Sequence, residues 1–364
     1  MRSRPEVVVV GAGIVGLSIA FHLMQRGASV TMFDRAGIGA GASGVQPGGV
    51  RQQWGTRVNC LLARESMRFY ADARELLGMQ VDPGFQACGY LFVAHTESAL
   101  SRLRDNVGLQ NELGIRSRIV GPAEMAELVP GLDIAGVVGA AWGAEDGYFD
   151  RPQSLVEAFG ALADVQSGEV LEVRDGSVRL VGGDEVDADA VVVAAGVDTP
   201  RLLPELPIRP EARYLFFSNP IRERLLEPLV VSPERGFAAK QLGDGRVLAS
   251  DLGAVGAPEA ELDNWRANVR NAFEELLPRL VFVALPTVVG GTYDVTPDHQ
   301  AILGRARDRV WVAAGFSGHG FMLAPAVGRI IAESVLEGRE DAALRVLDAG
   351  RFGEGRLVPE PQVV

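Results

Sequence analysis

Residues 6–34 read EVVVVGAGIVGLSIAFHLMQRGASVTMFD. Their order decides the fold. Residues 6–10 are a continuous β-branched run, the pattern of a parallel strand buried on both faces. Gly11, Gly13 and Gly16 follow at GxGxxG spacing. Apolar positions then recur at helical spacing until Gly27 stops the run, and SVTMFD, 29–34, is a second strand ending in an acid. This is a βαβ unit built to take a dinucleotide. Gly11 permits the tight turn, Gly13 admits a pyrophosphate to the backbone, and Gly16 lets helix and strand pack closely. The helix N-terminus, at Ile14 and Val15, favours the diphosphate's charge. Asp34 is expected to accept hydrogen bonds from ribose hydroxyls, with Arg35 beside it.

The loop does not by itself choose between NAD and FAD. After Asp34 comes a glycine-rich loop, 36–49, where a nicotinamide dehydrogenase would continue its βαβ units. The next parallel-type strands lie near 190 and 310. The nucleotide domain is therefore assembled from distant segments. Helices are predicted over 56–77, 97–113, 121–132, 152–164 and 259–277, and a strand over 85–94. Asp-Gly hairpins are predicted near 175–176 and within 236–251. Prolines crowd 204–234 and mark a crossing into a different layer.

A second bare stretch, GFSGHGFM at 315–322, follows the strand RVWVAAG and opens another helix. It is suited to the far end of an FAD: backbone N–H donors and a positive dipole end beside the isoalloxazine, where reduction builds negative charge. His319, one of four histidines, would donate to the flavin or shape its pocket.

The chain has 364 residues, 47 % apolar, enough for one large or two intertwined domains. A net charge of −12 argues against nucleic acid and anionic membranes. Two cysteines, with no CxxC and no Cys/His cluster, predict neither a disulfide framework nor a metal site, and point to the cytoplasm. The N-terminal apolar run is too interrupted for a signal peptide or a membrane span.

The segments VVVVGAGIVGLSIAFHL (7–23), GASGVQPGGVRQQW (41–54), DGYFDRPQSL (146–155), AVVVAAGVDTPRL (190–202), TYDVTPDHQAILG (292–304) and GFSGHGFMLAPAVG (315–328) together resemble one family. It is that of the FAD-dependent D-amino-acid, glycine and sarcosine oxidases and their dehydrogenase relatives. The motifs are most similar to the sarcosine oxidase β subunit and the dye-linked proline dehydrogenase β subunit. The resemblance implies an α/β FAD-binding Rossmann-like three-layer domain (1–84, 145–203, 295–364). A discontinuous α+β substrate domain, 85–144 and 204–294, would be built on a mostly antiparallel sheet. It implies oxidation of a C–N bond in a small amino acid or secondary amine, with oxygen or another electron acceptor. It leaves open whether the chain works alone or inside a larger complex. Two other readings stay open: a hydroxy-acid oxidase or dehydrogenase, and a non-catalytic FAD-binding subunit or assembly factor.

The same resemblance gives Arg51 the place of an arginine near flavin and substrate, and Tyr293 that of a substrate-facing tyrosine. With His319 these are the expected catalytic residues. Ala42, Ser43, Gly49 and Val50 are expected along the cofactor, with Val170 near adenine and Ala195 and Gly196 close to the nucleotide. Gly315, Gly318, His319, Gly320, Phe321 and Met322 are expected at the ring. There are departures from the monomeric sarcosine oxidases. Met322 replaces a carboxylate-binding lysine, which opens the site to larger or more apolar substrates. Gly291 replaces the cysteine that attaches FAD, so non-covalent FAD is expected. The strand VLAS, 247–250, lacks the oxygen-activating lysine; Lys240 lies nearby and is read as solvated.

Overall fold

In the strand Glu6–Val10, Val7 and Val9 join one hydrophobic core and Val8 and Val10 join another. A strand buried on both faces must be covered twice, and that sets the architecture. The computed structural model describes residues 4–256 and 258–362. Glu6–Val10 pairs in parallel with Ser29–Asp34 on one side and Ala190–Val193 on the other. Asp164–Ser167 extends one edge. Val310–Ala314 and the antiparallel Ile302–Arg307 extend the other, making six strands. One face carries the helices Ile14–Gln25, Arg57–Ala71 and Gly320–Glu337. The opposite face is covered by a three-stranded antiparallel sheet over Val170–Asp187, whose Val170, Val173 and Val178 meet Val8, Val10 and Val193.

The helices Ile14–Gln25 and Gly320–Glu337 lie against one another because Gly328 has no side chain. A Cβ there would stand within 3.0 Å of Ser18 Oγ. Ser18 Oγ donates to Ala324 O at 2.9 Å across the same contact. Pro325 cannot supply the N–H that Phe321 O would otherwise accept, and the Tyr70 hydroxyl donates to that carbonyl at 2.5 Å. This packing places both helix N-termini side by side.

A second sheet has eight strands. In spatial order they are Thr287–Val295, Arg209–Phe217, Val247–Asp251, Phe237–Gln241, Leu229–Ser232, Tyr90–Ala94, Gly139–Gly143 and Ser117–Val120. Only the pair Leu229–Ser232 with Tyr90–Ala94 is parallel. Helix Pro258–Leu276 packs Trp265, Val269 and Phe273 on one face, and helix Glu97–Glu112 packs Leu100, Leu103 and Val107 on the other. No helix among the described residues is long and apolar enough to cross a membrane.

Four elements differ from expectation. The helix predicted over 152–164 ends at Ala161, and Asp164 opens the edge strand Asp164–Ser167. The helix predicted over 56–77 is two, Arg57–Ala71 and Ala73–Leu76, because Asp72 leaves helical geometry at φ −103°, ψ 4°. The strand predicted over 85–94 is broken into Phe85–Gln86 and Tyr90–Ala94. Between them Gly89 takes φ 83°, and the Trp142 indole fills the space its side chain would need. The helix predicted to 132 stops at Leu128, just before Val129-Pro130.

Candidate active site

The two glycine turns open into a single cleft. Gly11, Gly13, Ile14 and Val15 line one part; Phe316, Gly318, Gly320 and Phe321 line another. Asp34, Arg35, Ala42, Ser43, Val170, Ala195 and Gly196 lie along the same cavity, and the eight-stranded sheet closes it with Leu215, Val289, Gly291 and Tyr293. The first-turn N–H groups of both helices have no intrahelical acceptors, so the cleft receives two positive dipole ends.

The three early glycines differ in what the protein itself demands of them. Gly11 takes φ 107°, and a Cβ there would strike Ala194 O. A Cβ on Gly16 would strike Gly11 O. Gly13 has ordinary extended geometry, φ −74° and ψ 171°, and its Cβ would meet nothing nearer than Ser43 Oγ at 3.2 Å. Its bareness serves the cleft, as a diphosphate site requires. Ser43 Oγ accepts from Ile14 N at 3.0 Å. Gln46 Nε2 is a buried donor without a partner, on a residue that lines the cleft. A single cleft that takes in both glycine turns and carries unmet donors fits FAD.

Asp34 is occupied with the loop. Its Oδ2 accepts from Ala12 N and its Oδ1 from Ala36 N and Gly37 N, each at 2.8 Å. It shapes the glycine turn as well as facing the cleft. Arg35 pairs with Asp198 at 2.6 Å across the mouth.

At the other end, Asp294 holds the late turn. Its Oδ2 accepts from Gly315 N at 2.7 Å, and its backbone O accepts from Ser317 N at 3.1 Å. Gly315 and Gly318 take φ 73° and 92°, and Ser317 between them φ 52°. Burial raises the Asp294 carboxyl to about 6, against the opposing pull of the turn's N–H groups.

Gly16, Gly49, Val50, Arg51, Gly315, His319 and Met322 stand outside the lining. Arg51 is 1 % exposed and donates to Gln53 O and, at 2.6 Å, to Gln362 O. Its guanidinium lies 3.9 Å over the Trp54 ring, and His319 meets that ring edge-on at 4.6 Å. Burial, then the Arg51 charge, hold the imidazole well below its ordinary pKa, so it is neutral. These three side chains form a buried stack behind the turn.

Lys240 corrects an expectation outright. It is 1 % exposed, donates to Pro47 O at 2.5 Å and lies 4.1 Å over the Tyr148 ring. Burial lowers its amine to about 7. Arg213, on the strand Arg209–Phe217, lines the cleft and had no signal in the sequence beyond its alternation within that strand.

Residues 6–334 match the family described as FAD dependent oxidoreductase, DAO. The chain belongs to that family. It is an FAD-dependent oxidoreductase of the DAO type, as the motifs at both ends of the cleft led one to expect. It is 27 % identical to FAD-dependent oxidoreductase domain-containing protein 1 of Xenopus laevis, over 92 % of this chain and 80 % of that one. It is 27 % identical to sarcosine oxidase subunit beta of Rhodobacter capsulatus, over 99 % and 91 %. Among solved structures it resembles L-proline dehydrogenase from P. horikoshii, with TM-score 0.89 and 28 % identity over 98 % and 100 % of the two chains.

Proposed function

We propose that the protein oxidises the carbon–nitrogen bond of a small amino acid or secondary amine, using FAD held without a covalent link. One observation carries the reading: both glycine turns border one cleft, and the sheet face above the late turn presents Tyr293, Leu215 and Val289 to it. Relatives named for sarcosine and for L-proline support the amine class. Gly291 stands where the resemblance to the monomeric sarcosine oxidases implies an FAD-attaching cysteine, and it offers no nucleophile.

Bound FAD supplies the acceptor for a hydride equivalent from the substrate carbon, and the imine left behind hydrolyses. The protein's part is placement. The late turn aims the N-terminus of helix Gly320–Glu337 at the end of the cleft where charge develops. Leu215, Leu252 and Val289 exclude water and favour the uncharged amine. The Tyr293 phenol, pushed above its ordinary pKa by burial, stays protonated and can donate to a substrate oxygen. No buried proton relay is required of His319.

The test is anaerobic bleaching of the FAD-loaded protein by a panel of N-methyl and cyclic amino acids set against hydroxy acids. Bleaching by the amines alone is expected. Bleaching by hydroxy acids alone, or by neither class, would overturn the proposal.

A further inference from the structure

Of the 35 lysines and arginines in the chain, only Lys240 is a lysine. It is also one of the largest fully buried side chains. A buried amine opposes folding, so its place in the structure needs another reason. Its partner supplies one. Lys240 stands on the strand Phe237–Gln241 of the second sheet and shares a face with Ala238, whose ladder partner Ser250 lines the cleft. From that face its amine reaches the loop that follows Ser43 and donates to Pro47 O at 2.5 Å. Pro47 lines the cleft too.

The residues around Pro47 are pinned one after another. Gly48 N donates to Gln46 Oε1 at 2.6 Å, and Gly48 O accepts from Phe149 N at 2.9 Å. Gly49 pairs with Tyr148 in the ladder. Gly48 takes φ 76°, and a Cβ there would stand 2.6 Å from Phe149 O. The bond from Gly48 fixes the Gln46 amide and leaves its Nε2 as the donor. That Nε2 is buried without an acceptor, on a residue that lines the cleft. Buried donors of this kind normally have partners. Val45 shows which end of the cleft is meant. Its Cγ2 lies 2.9 Å from where a Cβ of Gly291 would stand, on the strand whose Tyr293 ring lies against Gly318 of the late turn.

We infer that Lys240 is a positioning residue for the cofactor: it clamps the turn at Pro47 so that the Gln46 amide donates to an acceptor on the isoalloxazine half of FAD. One amine thereby registers the sheet that roofs the cleft against the turn that holds the cofactor. A lysine suits the place because its ammonium is a compact point donor, and the Tyr148 ring lies only 4.1 Å from Nζ. The flat fork of an arginine is not such a donor. The inference holds whichever substrate the cleft takes.

The test titrates protein freed of its cofactor with FAD, and separately with ADP, which carries the adenine and diphosphate but no flavin. Quenching of flavin fluorescence follows the first and calorimetry the second. Gln46→Met should weaken FAD about three- to tenfold and leave ADP unchanged. Lys240→Met should shift both ligands in the same pattern, although at neutral pH it removes a buried amine and should fold no less firmly than wild type. Because Lys240 acts through Gln46, the double variant should hold FAD little more weakly than Gln46→Met alone. A merely structural lysine would instead lower stability and weaken FAD and ADP together. Unaltered FAD affinity in either single variant, equal losses for FAD and ADP, or additive losses in the double variant would each overturn the inference. Should Lys240→Met not fold, Gln46→Met decides alone: FAD bound as tightly as by wild type overturns it.

Discussion

Gly318 lies directly against the ring of Tyr293: a Cβ on Gly318 would stand within 3.0 Å of Cε2 and Cζ. The late turn and the cleft roof are thus fitted to one another through a missing side chain. Gly318→Ala meets two penalties, the clash and a φ of 92°. Together they cost about 2–4 kcal/mol. The expected outcome is a lowered melting temperature and loss of FAD on gel filtration. The double variant Gly318→Ala/Tyr293→Ala should recover part of the stability, because it removes the clash and keeps the backbone strain.

The early glycines separate fold from ligand. Gly16→Ala places a methyl group on the Gly11 carbonyl and Gly11→Ala places one on the Ala194 carbonyl, so each should destabilise the chain without FAD by about 3 kcal/mol or more. Gly13→Ala meets only the Ser43 hydroxyl, and its φ of −74° suits any residue. It should cost under about 1 kcal/mol of stability yet weaken FAD roughly tenfold. Thermal denaturation of the stripped protein and quenching of flavin fluorescence on titration measure the two effects separately. Equal loss of stability in all three variants would contradict the assignment.

Much of this was legible because it is local. The β-branched run, the glycine spacing and the helical period lie within residues 6–34, and the Asp-Gly turns announce their own hairpins. What was not legible depends on pairing across the chain. Arg213 reaches the cleft only because residue 291 pairs with it, far along the sequence. The stretch around it, crowded with prolines, read only as a crossing into a different layer. Lys240 looked solvated because no sequence signal shows that Tyr148 and Pro47 will enclose it. Arg51 was read from its motif, but the motif does not show the carbonyl of Gln362 closing over the guanidinium.

The C-terminal segment is fastened by buried charge. Arg351 and Asp298, both fully buried, form a two-pronged pair at 2.9 and 3.0 Å, and Asp298 also accepts from Val358 N at 3.2 Å. Farther on, Glu360 accepts from Gly55 N at 2.8 Å, Thr56 Oγ1 at 2.6 Å and Asn59 Nδ2 at 3.0 Å. Removing one partner leaves the other as an uncompensated buried charge, so Asp298→Ala should cost about 3–5 kcal/mol. Glu360→Gln keeps an acceptor and should cost about 1–2 kcal/mol. Because Glu360 braces the segment that carries Arg51 and Trp54, Glu360→Ala should also increase proteolysis within residues 51–59; chemical denaturation and limited digestion check both.

Lys240 makes stability depend on pH in a predictable direction. It has no carboxylate within ion-pair distance among the described residues; Cys88 and Asp150 favour its charge, and burial outweighs them. Its amine is lowered from 10.5 to about 7. Between those values the unfolded chain holds a proton that the folded chain has released, so stability rises with pH across that window. Below about 7 both states are protonated and the full cost of burying the charge remains. Lys240→Met removes the titration and keeps the length of the side chain. The stability of wild type relative to Lys240→Met should therefore climb by a few kcal/mol, roughly, from neutral pH to pH 10. Lys240→Arg, which cannot release its proton, should be the least stable of the three at every pH. Urea denaturation of the three proteins across that range measures it, and a wild-type advantage that stays flat or shrinks as pH rises would show that the amine is charged in the fold.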